Sequence, residues 1–106
     1  VLAGLRVLGQ KAVSGTAGNI VLQVGTVLRY IGLNSLGAGA LTTQNYTVAV
    51  LEIGSSSIEQ NDLMLTIPLT FPEGTILTLR LSRLGVEADD SYTSDYYLIS
   101  VQPIWQ

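Results

Sequence analysis

Cysteine and histidine are both missing from this 106-residue chain. Their absence excludes a disulfide framework, a thiol nucleophile, an imidazole base, a Ser-His-Asp site and any His/Cys metal centre. Charge is also scarce. Lys, Arg, Asp and Glu make up 12% of the residues, where ordinary soluble domains carry about a quarter. The net charge of −3, with five scattered Lys/Arg, leaves no basic patch of the kind nucleic acid requires. No apolar run approaches the roughly 18 residues of a membrane-spanning helix, so no membrane insertion is expected. The first residues, VLAGLRVLGQ, have no basic leader and alternate like a strand, so they do not read as a signal peptide. With no initiator Met, the expectation is one domain over 1–106, a C-terminal fragment of a longer chain.

What the chain does have is apolar alternation. A chain of this size buries roughly two-thirds of the surface its unfolded form exposes, enough for a single core. Leu63, Leu65, Ile67 and Leu69 alternate, and Pro72-Glu73-Gly74 breaks the pattern. Leu77, Leu79 and Leu81 follow, then a polar loop over 85–94, then Tyr97, Ile99 and Val101 as one further set. A period of two between turn residues predicts antiparallel strands. They are expected at 2–8, 19–31, 46–53, 62–69, 75–82 and 95–102. The segments 10–18 and 32–45 are rich in small residues and read as irregular, with room for a helical turn in the second. Gly25, inside the longest strand, marks a bulge or a bend. The fold class is therefore all-β, an antiparallel β-sandwich of jelly-roll-like build.

Several strands are apolar on both faces, as at 20–28 and 96–104. One sandwich has one interior, so a second apolar sheet face would need cover from another copy of the chain. A homo-oligomer is the expectation.

Candidate chemistry concentrates near the end. Glu87, Asp89, Asp90 and Asp95 are the one cluster of like charges. They can be read as hard oxygen ligands for a cation or as turn-capping groups of a solvated loop, and their spacing fits no metal signature. Arg83 precedes that loop, within reach of Asp90 or Asp95 across its base. It either holds the loop closed or receives a ligand carboxylate or phosphate. Tyr92, Tyr96, Tyr97 and Trp105 form an aromatic concentration. They either seal an end of the fold or an interface, or they make a sugar-binding face flanked by Asp89, Asp95 and Asn61. Candidate binding residues are thus Asp89, Asp90, Tyr92 and Asp95, with Arg83 structural. No pair of carboxylates is singled out for glycoside hydrolysis, and no catalytic, cofactor or metal residue is assigned.

The run FPEGTILTLRLSRLG, then DDSYTSDYYLISV, resembles the C-terminal β-sandwich of tailed-bacteriophage virion proteins, above all tail fibres and tail spikes. Gly74, Leu77, Leu79, Arg80, Leu81, Arg83, Gly85, Asp90, Ser91, Tyr92 and Asp95 match that pattern. Residues 19–30 (NIVLQVGTVLRY, after Gly18) are similar to an earlier strand of the same family. Ser91 stands where Thr is usual. The resemblance implies a structural domain in the virion that forms homotrimers, contacts other virion proteins and in some members attaches to the host surface, where a glycan is the expected receptor. It carries over no catalytic residue. The alternative is a carbohydrate-binding or glycan-hydrolysing module of a larger protein, with its site at the aromatic end.

Overall fold

The computed structural model describes residues 1–12, 17–30, 41–50, 58–70 and 73–106. Period-two alternation turns into strands throughout: β1 (Leu2–Lys11), β2 (Gly18–Tyr30), β3 (Thr42–Val50), β4 (Glu59–Leu69), β5 (Thr75–Arg83) and β6 (Tyr96–Trp105). Two three-stranded antiparallel sheets result, in the orders β4-β1-β6 and β3-β2-β5. They pack face to face, giving an all-β, sandwich-like body. The chain passes from one sheet to the other between β1 and β2, β3 and β4, β4 and β5, and β5 and β6. Gly74, at φ 81°, supplies the left-handed backbone that the turn from β4 to β5 needs.

The six expected strands are present, with shifted ends. Residues 42–45, expected to be irregular, are the first four of β3, where they pair with β2 from Gln23 to Thr26. The long β2 provides a ladder that outweighs the weak local signal of that segment. Several expectations lie outside the described residues: a helical turn within 31–40, strand residues 51–53, the turn at 54–57 and the break at Pro72.

One core holds the sheets together. Leu5 and Val7 of β1 and Leu63 of β4 meet Ile20, Leu22 and Val24 of β2 and Val48 and Val50 of β3, and Tyr92 joins from the 84–95 loop. Each such side chain contributes about 1.5–3 kcal/mol when fully buried. Glu59 and Lys11 are also buried, at the end of the fold where Tyr96 crosses β1. Gly9 makes that crossing possible, because a Cβ there would stand 2.1 Å from the Tyr96 ring.

The outer faces mix polar and apolar rows, with Met64 and Ile104 beside Gly4 on one sheet and Val27 and Ile76 on the other. On the β3-β2-β5 sheet, Asn45, Gln23 and Ser82 share one row and Thr43, Gly25 and Arg80 the next. On the other sheet, Asp62, Arg6 and Gln102 share a row, and Arg6 pairs with Asp62 at 2.9 Å. Part of the apolar second side of β6 arises from a bulge. Register shifts between Leu8↔Ser100 and Gly9↔Leu98, leaving Ile99 as the extra residue. Partners directly opposite in a ladder share a face. Val101, opposite Val7, therefore turns inward, whereas Tyr97, opposite Gln10, turns outward. The predicted set Tyr97, Ile99 and Val101 is split by one inserted residue.

Between β3 and β4, the Tyr46 hydroxyl donates to the Met64 carbonyl (2.9 Å), and the Thr66 amide donates to Gln44 Oε1 (3.1 Å). Side chains of β3 thus cap the backbone edge of β4.

Candidate functional site: a clasped loop

The polar residues singled out in the sequence surround one structure, the loop over 84–95. Arg83, the last residue of β5, stands opposite Leu22 on the inner side of its sheet. Beyond it the Leu84 amide donates to the Val21 carbonyl (2.8 Å), and the chain leaves the ladder. Two tight turns follow, closed by Glu87 N to Leu84 O (3.1 Å) and Asp90 N to Glu87 O (3.0 Å). They bring Asp90 back against β2.

There the loop does the work of a missing strand. The Val21 amide donates to Asp90 Oδ2 (3.0 Å), and the Asn19 amide donates to Ser91 Oγ (3.0 Å). The amides of Ser91 and Tyr92 both donate to the Asn19 carbonyl, each at 2.9 Å. Backbone groups at the start of β2 would otherwise face the open edge left where β5 ends, and unsatisfied buried groups are costly. Gly18 permits the approach, since a Cβ on it would stand 3.0 Å from the Tyr92 backbone.

Arg83 locks the loop from inside. Its Nε donates to Asp90 Oδ2 (3.0 Å), Nη2 to Asp90 Oδ1 (2.6 Å) and to the Tyr92 carbonyl, and Nη1 to the Ser94 carbonyl (2.9 Å). Four of the five N–H donors of the guanidinium are engaged within the chain. Its plane also lies near the Tyr92 ring, 5.9 Å from the centroid. The Asp90 side chain is only 2% exposed. Hydrogen bonding to Arg83 holds its carboxyl below the usual range, against the opposing effect of burial. The same bond raises the Arg83 guanidinium, with smaller help from Asp90 charge, Asp95 and Tyr92.

Of the two roles open to Arg83 in the sequence, the geometry gives it loop closure, and its partner is Asp90. Of the four candidate binding residues, Asp90 and Tyr92 point inward, and Tyr92 is 1% exposed. Asp89 and Asp95 are exposed at the surface. Gly85, Thr93, Ser94 and Asp95 border an open polar depression of about 480 Å³ above the clasp. Among the described residues, no three carboxylates converge as metal ligands.

The aromatic concentration disperses. Tyr92 enters the core, Tyr96 packs against it from the inner side, Tyr97 faces outward, and Trp105 stands at the far end of β6 opposite Leu2. Asn61, proposed as a flanking amide, lies opposite Val7 on β4, at the other edge of the sheet that holds β6. These residues do not form one sugar platform. Burial pushes the Tyr96 hydroxyl up to about 12, with smaller contributions from Glu59 and Tyr92. The hydroxyls of Tyr92 and Tyr96 are buried and accept or donate no hydrogen bond.

Sequence reasoning missed Ser91 as a cap of β2 and Gln44 and Tyr46 as caps of β4. A Ser beside Asp at a loop end is a cap signal, but its target, 72 residues earlier, has no local trace. No protein-family model, no curated protein and no solved structure matches this chain.

Proposed function

We propose that the chain is a β-sandwich domain of jelly-roll-like build from a tailed-bacteriophage virion appendage, of tail-fibre or tail-spike type. In this reading it is a structural part of the virion. It assembles as a homotrimer, joins other virion proteins and carries the 85–94 loop at the periphery, towards a host-surface glycan. No catalytic residue, cofactor or metal enters the reading.

The observation that carries it is how the residues of the resemblance are used. Arg83, Asp90, Ser91 and Tyr92 bond to one another and to the start of β2. Polar groups of a catalytic motif point at a substrate, whereas these close a loop on its own sheet. Such a motif suits a domain whose task is rigid presentation. Low charge and exposed apolar residues on β6 support assembly. The glycan-hydrolysing module draws less support. Tyr97 and Trp105, the exposed rings of β6, are about 27 Å apart along the strand at ~3.4 Å per residue.

Light scattering on the isolated chain at micromolar concentration tests the assembly, and a glycan array tests attachment. The expected mass is three times the 11.3 kDa of one chain. A mass of one chain would sink the proposal. Release of sugar products from a bound glycan would favour the enzymatic module instead.

A further inference from the structure

The five basic residues of the chain are not used alike. Lys11 is buried, Arg6 pairs with Asp62, and Arg83 is engaged in the clasp. Arg29 of β2 and Arg80 of β5 remain. Both are exposed, and neither has an ion-pair partner among the described residues. Register puts both on the outer face of the β3-β2-β5 sheet. None of the three strands of that sheet carries an Asp or Glu, although acids outnumber bases eight to five in the whole chain.

Arg80 lies across this face. It pairs in register with Gly25 of the central strand, and its Nε stands 3.6 Å from the place a Cβ of Gly25 would take. Charge on an edge strand ordinarily deters pairing with a further strand. That accounts for Arg80 but not for Arg29, since β2 is the central strand of its sheet. Arg29 is four residues along β2 from Gly25, a span of about 13 Å. The two cations thus form a line along β2, too widely spaced for one small anion. Between them lies Val27, opposite Thr78, and beside Arg29 lies Ile76, 52% exposed. On the far side of Gly25, Gln23 Nε2 donates to Asn45 Oδ1 (3.0 Å), which leaves the Gln23 carbonyl and the Asn45 amide nitrogen for an outside partner.

We infer that this face binds an acidic polysaccharide, which lies along β2 with one anionic group at Arg80 and another at Arg29. The inference rests on the glycan attachment proposed above and names the class of glycan and the surface that holds it. Charge is the first argument. Two free guanidinium groups on a sheet without a carboxylate complement an anionic chain, and each can take a carboxylate or phosphate in bidentate fashion. Spacing is the second. Anionic groups about 13 Å apart belong to a polymer whose charged unit recurs. The third is the ground between the arginines. Val27 and Ile76 suit the C–H faces of sugar rings, and the polar groups of Gln23, Asn45 and Thr78 suit their hydroxyls. On the 84–95 loop, by contrast, the exposed Glu87, Asp89 and Asp95 repel such a chain, so its charged groups are held on the sheet face.

The test measures retention of the chain, in the assembly it forms, on immobilised alginate (carboxylate), glycerol teichoic acid (phosphate) and dextran (uncharged). The parent is expected to bind at least one acidic polymer and not dextran. That binding should be lost between about 0.1 and 1 M salt, as the screening length falls from ~10 to ~3 Å. Arg29→Gln and Arg80→Gln are each expected to weaken it about two- to fivefold per copy, and the double variant to abolish retention. Arg6→Gln removes the same charge from the other sheet and is expected to leave binding unchanged, with circular dichroism checking that every variant keeps the β spectrum. Retention of the double variant, or equal losses with R6Q, overturns the face while leaving glycan attachment standing. Equal binding to dextran overturns the acidic class. Binding to polyglutamate as strong as to the polysaccharides overturns the recognition of sugar. Retention on none of the polymers overturns the inference, whereas the virion-appendage reading still stands or falls on the oligomer mass.

Discussion

Asp90 accepts two hydrogen bonds from Arg83, at 3.0 and 2.6 Å, and a third, at 3.0 Å, from the Val21 amide. One carboxylate thereby joins the end of β5, the returning loop and the open edge of β2. The pairing is almost closed to solvent on the aspartate side. It contrasts with the pair between Arg6 and Asp62, whose side chains are 41% and 37% exposed.

Removing the inner carboxylate is expected to be costly. Asp90→Ala leaves a partly enclosed guanidinium and the Val21 amide without their acceptor. A loss of about 2–4 kcal/mol is expected, the lower end because Arg83 retains some solvent. Urea unfolding followed by circular dichroism measures it. Arg6→Ala should leave the midpoint unchanged, since an exposed pair is screened. Equal shifts for the two variants would contradict the clasp.

The clasp also predicts an acid dependence. Asp90 has a lower pKa folded than unfolded, so its contribution is fully present above the ordinary aspartate value. It is lost as pH falls through the lowered folded value, that is, below about pH 4. The stability difference between the parent and D90A should be constant near neutrality and shrink in acid. A difference that grows on acidification would reverse the sign and refute the assignment.

Gly9 and Tyr96 should behave as one unit. Gly9→Ala drives a methyl group into the Tyr96 ring, at an expected cost of about 1–3 kcal/mol. In the Tyr96→Ala background the same change should cost far less, because the obstructing ring is gone. A double-mutant cycle by thermal unfolding checks this. Additive effects would mean that the ring does not lie over Gly9.

Tyr96→Phe should not destabilise the fold near neutral pH, because the lost hydroxyl is buried and makes no hydrogen bond. At high pH the variant should be the more stable. The parent hydroxyl is raised to about 12, so its share of stability is full below the usual value near 10 and falls as pH rises from there. Phenolate absorbance during alkaline titration, recorded beside unfolding, separates the two chains. Ionisation of Tyr96 near pH 10 in the folded protein would contradict its burial.

The sequence by itself determined that this chain is all-β and roughly where its strands run. Side-chain facing in a strand depends on parity alone, so Leu5 and Val7, or Ile20, Leu22 and Val24, declare a shared inner face. It also placed Arg83 within reach of Asp90 or Asp95, because a short loop brings the chain back near its start, and the structure settles on Asp90. Tertiary structure decided the remainder. The bulge at Ile99 depends on pairing with β1, and it turns Val101, still 38% exposed, to the inner side of its sheet although the local alternation groups it with Tyr97. Tyr92 and Asp90 look like exposed loop residues until the open edge of β2, about 70 positions earlier, takes their hydrogen bonds. The apolar surplus was legible in composition. Its location was not, because which apolar side chains stay exposed, Ile67 of β4 and Tyr97 of β6 among them, is decided only once the two sheets have packed.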